Sequence, residues 1–199
     1  MELITKEEAS FRKEEIKQRI LKGEIFIYPT DTIYGIGCNA QIHNSVDKIR
    51  ELKGRPTAPF SVIAPSVEWI NQNCEVNENG EKWIKKLPGP YTLIFRYSSK
   101  GGVAKSINPG VDTLGVRIPG HWFTALVQET EVPIVTTSAN LVGKPFMTSL
   151  EDLDPEIKKG VSFIIYEGEK KGRPSTIIDL TQKRRIIGIP FGPKVTKRK

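Results

Sequence analysis

The segment at residues 27–40, IYPTDTIYGIGCNA, places two threonines, an aspartate and a tyrosine directly after an apolar run. The run is Ile25, Phe26, Ile27 and Tyr28. It breaks at Pro29, and Thr30, Asp31, Thr32 and Tyr34 follow before Gly35 and Gly37. Such hydroxyls can hydrogen-bond a small polar ligand, and glycines leave the backbone open to close approach. Taken alone, the segment is read equally well as a strand-to-helix turn. Five more clusters accompany it. In KGRP, residues 53–56, Lys53 and Arg55 flank a glycine that can stop a helix. Two cations there either complement the helix dipole or clamp a phosphate, with the dipole favoured. LPGPYT, residues 87–92, reads as a rigid turn into a strand. DTLGVRIP, residues 112–119, sets Arg117 inside an apolar strand, where a guanidinium needs a carboxylate or phosphate. TTSANLVGKP, residues 136–145, ends an apolar strand in three hydroxyls and the amide of Asn140. RPSTIIDL, residues 173–180, puts Ser175 and Thr176 at a strand start.

Other chemistries lack their residues. There is no GxxxxGK[ST], no GxGxxG after a strand, and no HExxH, CxxC or GxSxG. Cys38, Cys74, His43 and His121 give no metal-ligand spacing. What remains is a hydroxyl-rich, cation-lined pocket without an evident general base. That inventory suits a reaction governed by positioning and charge neutralisation, as in nucleotidyl or phosphoryl transfer.

Elements that would position these residues can be read from periodicity. Thr5 and Glu8 form a capping box for a helix over 6–22, with Ile16 and Ile20 on one face and Gly23 as its stop. A strand over 24–28 follows, its consecutive apolar residues predicting burial on both faces. Asn44 is expected to cap a helix through Val46, Ile49 and Leu52 that ends at Gly54. Strands are expected at 59–64, 91–97, 113–119, 133–139, 161–167, 175–180 and 184–189. Helices are expected at 66–73, 79–87 and 121–130, with a short one at 149–153 capped through Ser149 and Asp152. This alternation predicts an α/β fold. The strand-rich C-terminal third argues against a purely parallel sheet.

A chain of 199 residues without repeats or low-complexity linkers suits one domain, residues 1–199, with a basic tail at about 190–199. Net charge is +7, part of it from Lys183, Arg184, Arg185, Lys194, Lys197, Arg198 and Lys199. A basic balance favours acidic partners such as nucleotides or RNA, or serves solubility. No apolar run approaches the roughly 20 residues of a membrane span, and the charged N-terminus lacks a signal-peptide core. A cytoplasmic protein without a membrane partner is therefore expected.

Taken in order, YPTDTIYGIGCNA, KGRP, LPGPYT, GVRIP, TTSANLVGKP and STIIDL resemble the YrdC-type threonylcarbamoyl-AMP synthases. The likeness runs from about residue 10 to residue 180. It implies a YrdC-like twisted, largely mixed or antiparallel sheet with flanking helices around a concave basic cavity. It implies ATP, L-threonine and bicarbonate as substrates, Mg2+ with the ATP, and threonylcarbamoyl-adenylate and pyrophosphate as products. A separate complex would then transfer the threonylcarbamoyl group to an adenosine beside the tRNA anticodon. By the same resemblance, Thr30, Thr32, Arg117, Thr136 and Ser175 would hold threonine, with Arg117 gripping its carboxylate. Lys53 and Arg55 would be the catalytic cations on the phosphates. Pro59, Thr113, Ser138 and Asn140 would join them around the nucleotide. The alternatives are a YrdC-like module that binds RNA, double-stranded or otherwise and weakly, and a divergent paralogue that binds a different adenylate.

Overall fold

Apolar residues recur without interruption in several strands, so a single sheet buried on both faces is the natural outcome. The computed structural model describes residues 1–99, 101–181 and 185–187; the basic tail expected at 190–199 lies outside them. Strands β1 (Glu2–Thr5), β2 (Phe26–Tyr28), β3 (Gly35–Gly37), β4 (Ser61–Ile63), β5 (Cys74–Glu75) and β6 (Tyr91–Tyr97) are joined by β7 (Thr113–Arg117), β8 (Ile134–Ser138), β9 (Phe163–Tyr166), β10 (Thr176–Asp179) and β11 (Arg185–Ile187). They line up as β1-β9-β2-β3-β8-β4-β7-β6-β10-β11, with β5 on β6. The β1/β9, β2/β9, β4/β7 and β6/β10 pairs are parallel and the others antiparallel, so the sheet is mixed as expected.

Helices α1 (Lys6–Phe11), α2 (Lys13–Leu21) and α6 (Phe123–Thr130) cover one face. Ala9, Ile16, Ile20, Phe123, Leu126 and Val127 pack there against Phe26, Tyr28, Ile134 and Phe163. The other face carries Ile27, Val62, Leu93, Val116, Val135 and Ile164, under α3 (His43–Lys53) and its neighbours. Alternation along each strand explains the split: Phe26 and Tyr28 go one way and Ile27 the other.

Local expectations are met in part. The Thr5–Glu8 capping box is present, with Glu8 N–H donating to Thr5 Oγ1 at 3.2 Å. The single helix over 6–22 is instead two, because Arg12 leaves helical backbone (φ −105°, ψ 22°). The break lets Ala9 and the Ile16–Ile20 stripe reach the same core. Helix α3 ends at Gly54 with left-handed backbone, as predicted, but Ile42 and not Asn44 occupies its N-cap. No helix forms at 149–153. The hydroxyls of Thr148 and Ser149 both donate to Asp152, closing a turn, and helix α7 starts instead at Pro155 behind the Asp154 cap.

Candidate functional site

The same alternation assembles a polar patch on the part of the α1/α2/α6 face that those helices leave uncovered. Ile63 lies opposite both Ile134 and Arg117, and Ser61 opposite both Thr136 and Gly115. Arg117, Gly115, Ser61, Thr136 and, two residues on, Ser138 therefore share one side of β7, β4 and β8. Strand β6 pairs Ile94 with Gly115 and β10 pairs Ile177 with Thr92, which adds Thr92 and, by the same parity, Ser175. Thr92 and Ser175 hydroxyls are hydrogen-bonded at 2.7 Å. Gly115 leaves room for these hydroxyls: a Cβ there would lie 2.5 Å from Ser61 Oγ and displace it. Thr113 sits on this face too, partly exposed, at the outer end of β7.

The arm after β2 folds over the patch. Thr30 Oγ1 donates to Ile33 O at 2.7 Å and accepts from Thr32 N–H at 3.1 Å, making a closed turn. Arg117 Nη2 donates to Asp31 Oδ1 at 2.9 Å and to Thr32 Oγ1 at 3.2 Å. Asp31 Oδ2 accepts from Gly120 N–H at 2.9 Å. Burial pulls the Arg117 pKa below its ordinary value, and the Asp31 carboxylate opposes that pull. Arg117 Nε is buried and has no partner among the described residues. A buried donor without a partner is costly, and a ligand oxygen would satisfy it.

The glycines have a different task from the one expected. Gly35 and Gly37 lie within β3, not at a substrate-facing turn, and neither has positive φ. A Cβ on Gly37 would sit 2.1 Å from the Val135 carbonyl oxygen, and one on Gly35 would sit 3.1 Å from the Tyr28 ring. They let β3 lie between β2 and β8, and let the Tyr28 hydroxyl donate across it to Val135 O at 3.0 Å.

At the end of β8 the cations arrive from the opposite layer. Lys53, the last residue of α3, donates through Nζ to Ser138 O and Asn140 O at 2.5 Å each and approaches Asn140 Oδ1 at 3.4 Å. Burial, and then the charge of Arg55, push its pKa down to about 7. Ser138 Oγ donates to Asn140 Oδ1 at 2.5 Å, and Asn140 Nδ2 donates to Lys144 O at 2.6 Å. Arg55 donates to Pro59 O at 2.8 Å and makes a long contact to Thr137 Oγ1 at 3.4 Å, with no carboxylate partner among the described residues. Lys53, Ser138 and Asn140 are thus one hydrogen-bonded unit, and Arg55 with Pro59 forms a second one beside it.

Periodicity passed over three other residues. Arg50 is buried in α3 and donates to the carbonyls of Arg55, Pro56, Ala58, Ser106 and Ile107, moulding the loop that carries Arg55 and Pro59. A basic residue on the buried side of α3 was the available signal. Glu167 accepts from Trp122 Nε1 at 2.5 Å, meets His121 Nε2 at 2.9 Å and pairs with Lys170. Lys170 Nζ in turn donates to Thr30 O at 2.8 Å. Burial raises the Glu167 pKa, but hydrogen bonds from Lys170, Trp122 and His121 outweigh it and hold the carboxyl near 2.

An open groove of about 460 Å³ between α4 (Val67–Asn73) and α5 (Glu78–Ile84) contains none of these residues. No group of three or more His, Cys, Asp or Glu able to hold a metal ion occurs among the described residues.

Known proteins resemble this chain in sequence and fold. The model of the Sua5/YciO/YrdC family, described as "Telomere recombination", matches residues 18–188. A putative threonylcarbamoyl-AMP synthase from Methanocaldococcus jannaschii is 36% identical over 193 residues, covering 95% of this chain and 89% of that protein. A threonylcarbamoyl-AMP synthase from Pyrococcus abyssi is 37% identical over 191 residues, covering 91% of this chain and 56% of that protein. The chain thus spans little more than half of the Pyrococcus relative. The crystal structure of P. abyssi Sua5 complexed with L-threonine superposes with TM-score 0.82 at 34% identity, over 92% of this chain and 54% of that one. E. coli YciO superposes with TM-score 0.81 at 22% identity over 94% of both chains, a likeness of fold. With the family match spanning residues 18–188 and the identity to its relatives running nearly end to end, this chain belongs to the Sua5/YciO/YrdC family.

Proposed function

We propose that this protein is an L-threonylcarbamoyladenylate synthase, a nucleotidyltransferase that joins L-threonine, bicarbonate and ATP and releases pyrophosphate. The observation that carries the reading is that neighbouring strands β7, β4 and β8 bring two units to one part of the sheet. One is the Arg117–Asp31–Thr32 nest, with its unpartnered Nε; the other is the Lys53–Ser138–Asn140 clamp at the rim, with Arg55 beside it. The relatives' names and the L-threonine complex of the Pyrococcus protein support the same reading.

Threonine's amine captures CO2 derived from bicarbonate as a carbamate. A carbamate oxygen attacks the α-phosphorus of ATP, the bond between the α-phosphorus and its bridging oxygen breaks, and pyrophosphate leaves. Arg117 offers Nε to the threonine carboxylate. A two-pronged grip is not open while Nη2 is held by Asp31 and Thr32. Thr32, Thr136, Thr30 and Ser175 surround the amino acid with hydroxyls. Lys53 and Arg55 stabilise charge that develops on the phosphates, and Ser138, Asn140, Pro59 and Thr113 border the nucleotide. Mg2+ would be held through the phosphates of ATP, since the described residues offer no ligand cluster. The product would serve a cytoplasmic complex that modifies tRNA beside the anticodon. No described helix is long and apolar enough to cross a membrane.

The test is adenylate formation from ATP, Mg2+, radiolabelled bicarbonate and L-threonine, with single omissions. We expect a labelled adenylate and pyrophosphate only when all components are present. ATP binding without a threonine-dependent product would point to another amine substrate and overturn the reading. Salt-sensitive RNA binding without turnover would favour an RNA-binding module instead.

A further inference from the structure

Resting on that reading, we propose that residues 167–175 form a gate over the amino-acid end of the site, with Glu167 as its latch. Glu167 is a positioning residue that acts through Lys170.

The path of this segment follows from topology. It connects β9 to β10, and the sheet order β9-β2-β3-β8-β4-β7-β6-β10 puts seven steps between them. Laid flat, that distance is roughly 34 Å at about 4.8 Å per step. The ten residue steps from Tyr166 to Thr176 reach at most about 33–36 Å. The link therefore has almost no slack, and it must cross the end of the sheet where Thr30, Thr32 and Thr92 lie.

Its contacts mark the crossing. Lys170 Nζ bonds Thr30 O, and Ser175 bonds Thr92. Gly172 lies so close that a Cβ would sit 1.8 Å from Thr32 O. Gly172 itself is exposed, while Thr32, Arg117 and Thr136 beneath are only 5%, 6% and 7% exposed. That leaves too little surface for an amino acid to seat against all three. Something must move to admit it, and this segment is the cover.

The segment is pinned at its ends and free between them. Glu167 N–H donates to Tyr34 Oη, Lys170 N–H to Thr148 O, and Thr176 N–H to Pro90 O. Among the described residues, no backbone hydrogen bond outside strands and helices comes from 171–175. The strong pin is the Glu167 carboxylate, which gathers Lys170 from the segment, and His121 and Trp122 from the stretch after β7. Gly120 in that stretch holds Asp31. One carboxylate therefore ties the cover to the arm and to the Arg117 nest. Opening requires the Lys170 pair to part, and its two side chains, 15% and 16% exposed, are shielded enough for the pair to matter.

Trypsin cleavage after Lys170 or Lys171 reports opening, since Arg173 precedes a proline and resists. We expect Glu167→Gln to speed that cleavage about tenfold without ligand, the effect of one lost charge-assisted hydrogen bond. The same variant should raise KM for L-threonine about tenfold and leave KM for ATP within about twofold. L-threonine should slow the cleavage of the unaltered protein. Lys170→Arg keeps the pair and should bind threonine normally, whereas Lys170→Met should behave as Glu167→Gln. Glu169→Gln, on the exposed side of the same segment, controls for loss of charge. Cleavage of Glu167→Gln at the unaltered rate, in a protein that melts normally, would overturn the latch. So would a parallel rise in KM for threonine and ATP. If the unaltered protein neither binds nor is protected by threonine, the proposed function fails. The ligand-free contrast between the two proteins still decides whether the latch exists.

Discussion

At the scale of single residues, burial gives familiar groups unfamiliar properties. Lys53 is 2% exposed, and its folded-state pKa of about 7 lies below the usual lysine value of 10.5. The unfolded chain therefore binds more protons between those values, and Lys53 makes the protein more stable as pH rises through that window. A bound polyanion acts in the opposite sense, because it favours the charged lysine and raises its pKa. ATP binding should then take up a proton near pH 7.5 and weaken as pH rises toward 9. Titration calorimetry in buffers of different ionisation enthalpy measures that uptake, and Lys53→Met should abolish it. Equal proton balance in both proteins would remove Lys53 from the phosphates. Arg117 was legible in the sequence because an arginine is rare inside an apolar strand, whereas Lys53 and Arg55, ordinary at a helix end, stood out only through the ordered set of motifs. Their partners were not: Asp31 and Arg117 are 86 positions apart, and Lys53 and Asn140 are 87.

At the scale of elements, β3 is the least conventional strand. It is Gly-Ile-Gly, poor in strand propensity, yet it joins β2 to β8. Gly37→Ala should cost about 2–3 kcal/mol or more, because a Cβ would meet the Val135 backbone rather than a movable side chain. Gly110→Ala, at φ +76° with nothing within 4 Å, should cost only about 1 kcal/mol of backbone strain. Urea unfolding compares the two, and equal losses would show that β3 relaxes around a methyl group. Periodicity found the longer apolar strands and most helices. It missed β1, β3 and β5, which carry no extended apolar run. It also merged α1 with α2, since Arg12 leaves helical backbone and pairs with Glu2, a contact outside any helical spacing.

At the scale of the molecule, the chain carries a net charge of +7, and the substrate of the proposed site would be a polyphosphate. ATP association should slow as ionic strength rises, since screening lengths fall from about 10 Å at 0.1 M salt to about 3 Å at 1 M. Threonine, a zwitterion, should bind with little salt dependence. Stopped-flow measurements with each substrate check the contrast; parallel salt effects would speak against electrostatic steering. By itself the sequence determined the α/β alternation, the two-sided burial of the strands, the family and most of the site's residue types. These depend on local period, composition and short ordered motifs. Tertiary structure alone decided that β9 and β10 lie seven strands apart, that Arg117 faces Asp31, and that the Glu167–Lys170 pair closes over Thr30. The physical reason is that strand order and cross-chain pairing are set by which faces pack together. That choice is made by the whole sheet, and no short stretch of the chain contains it.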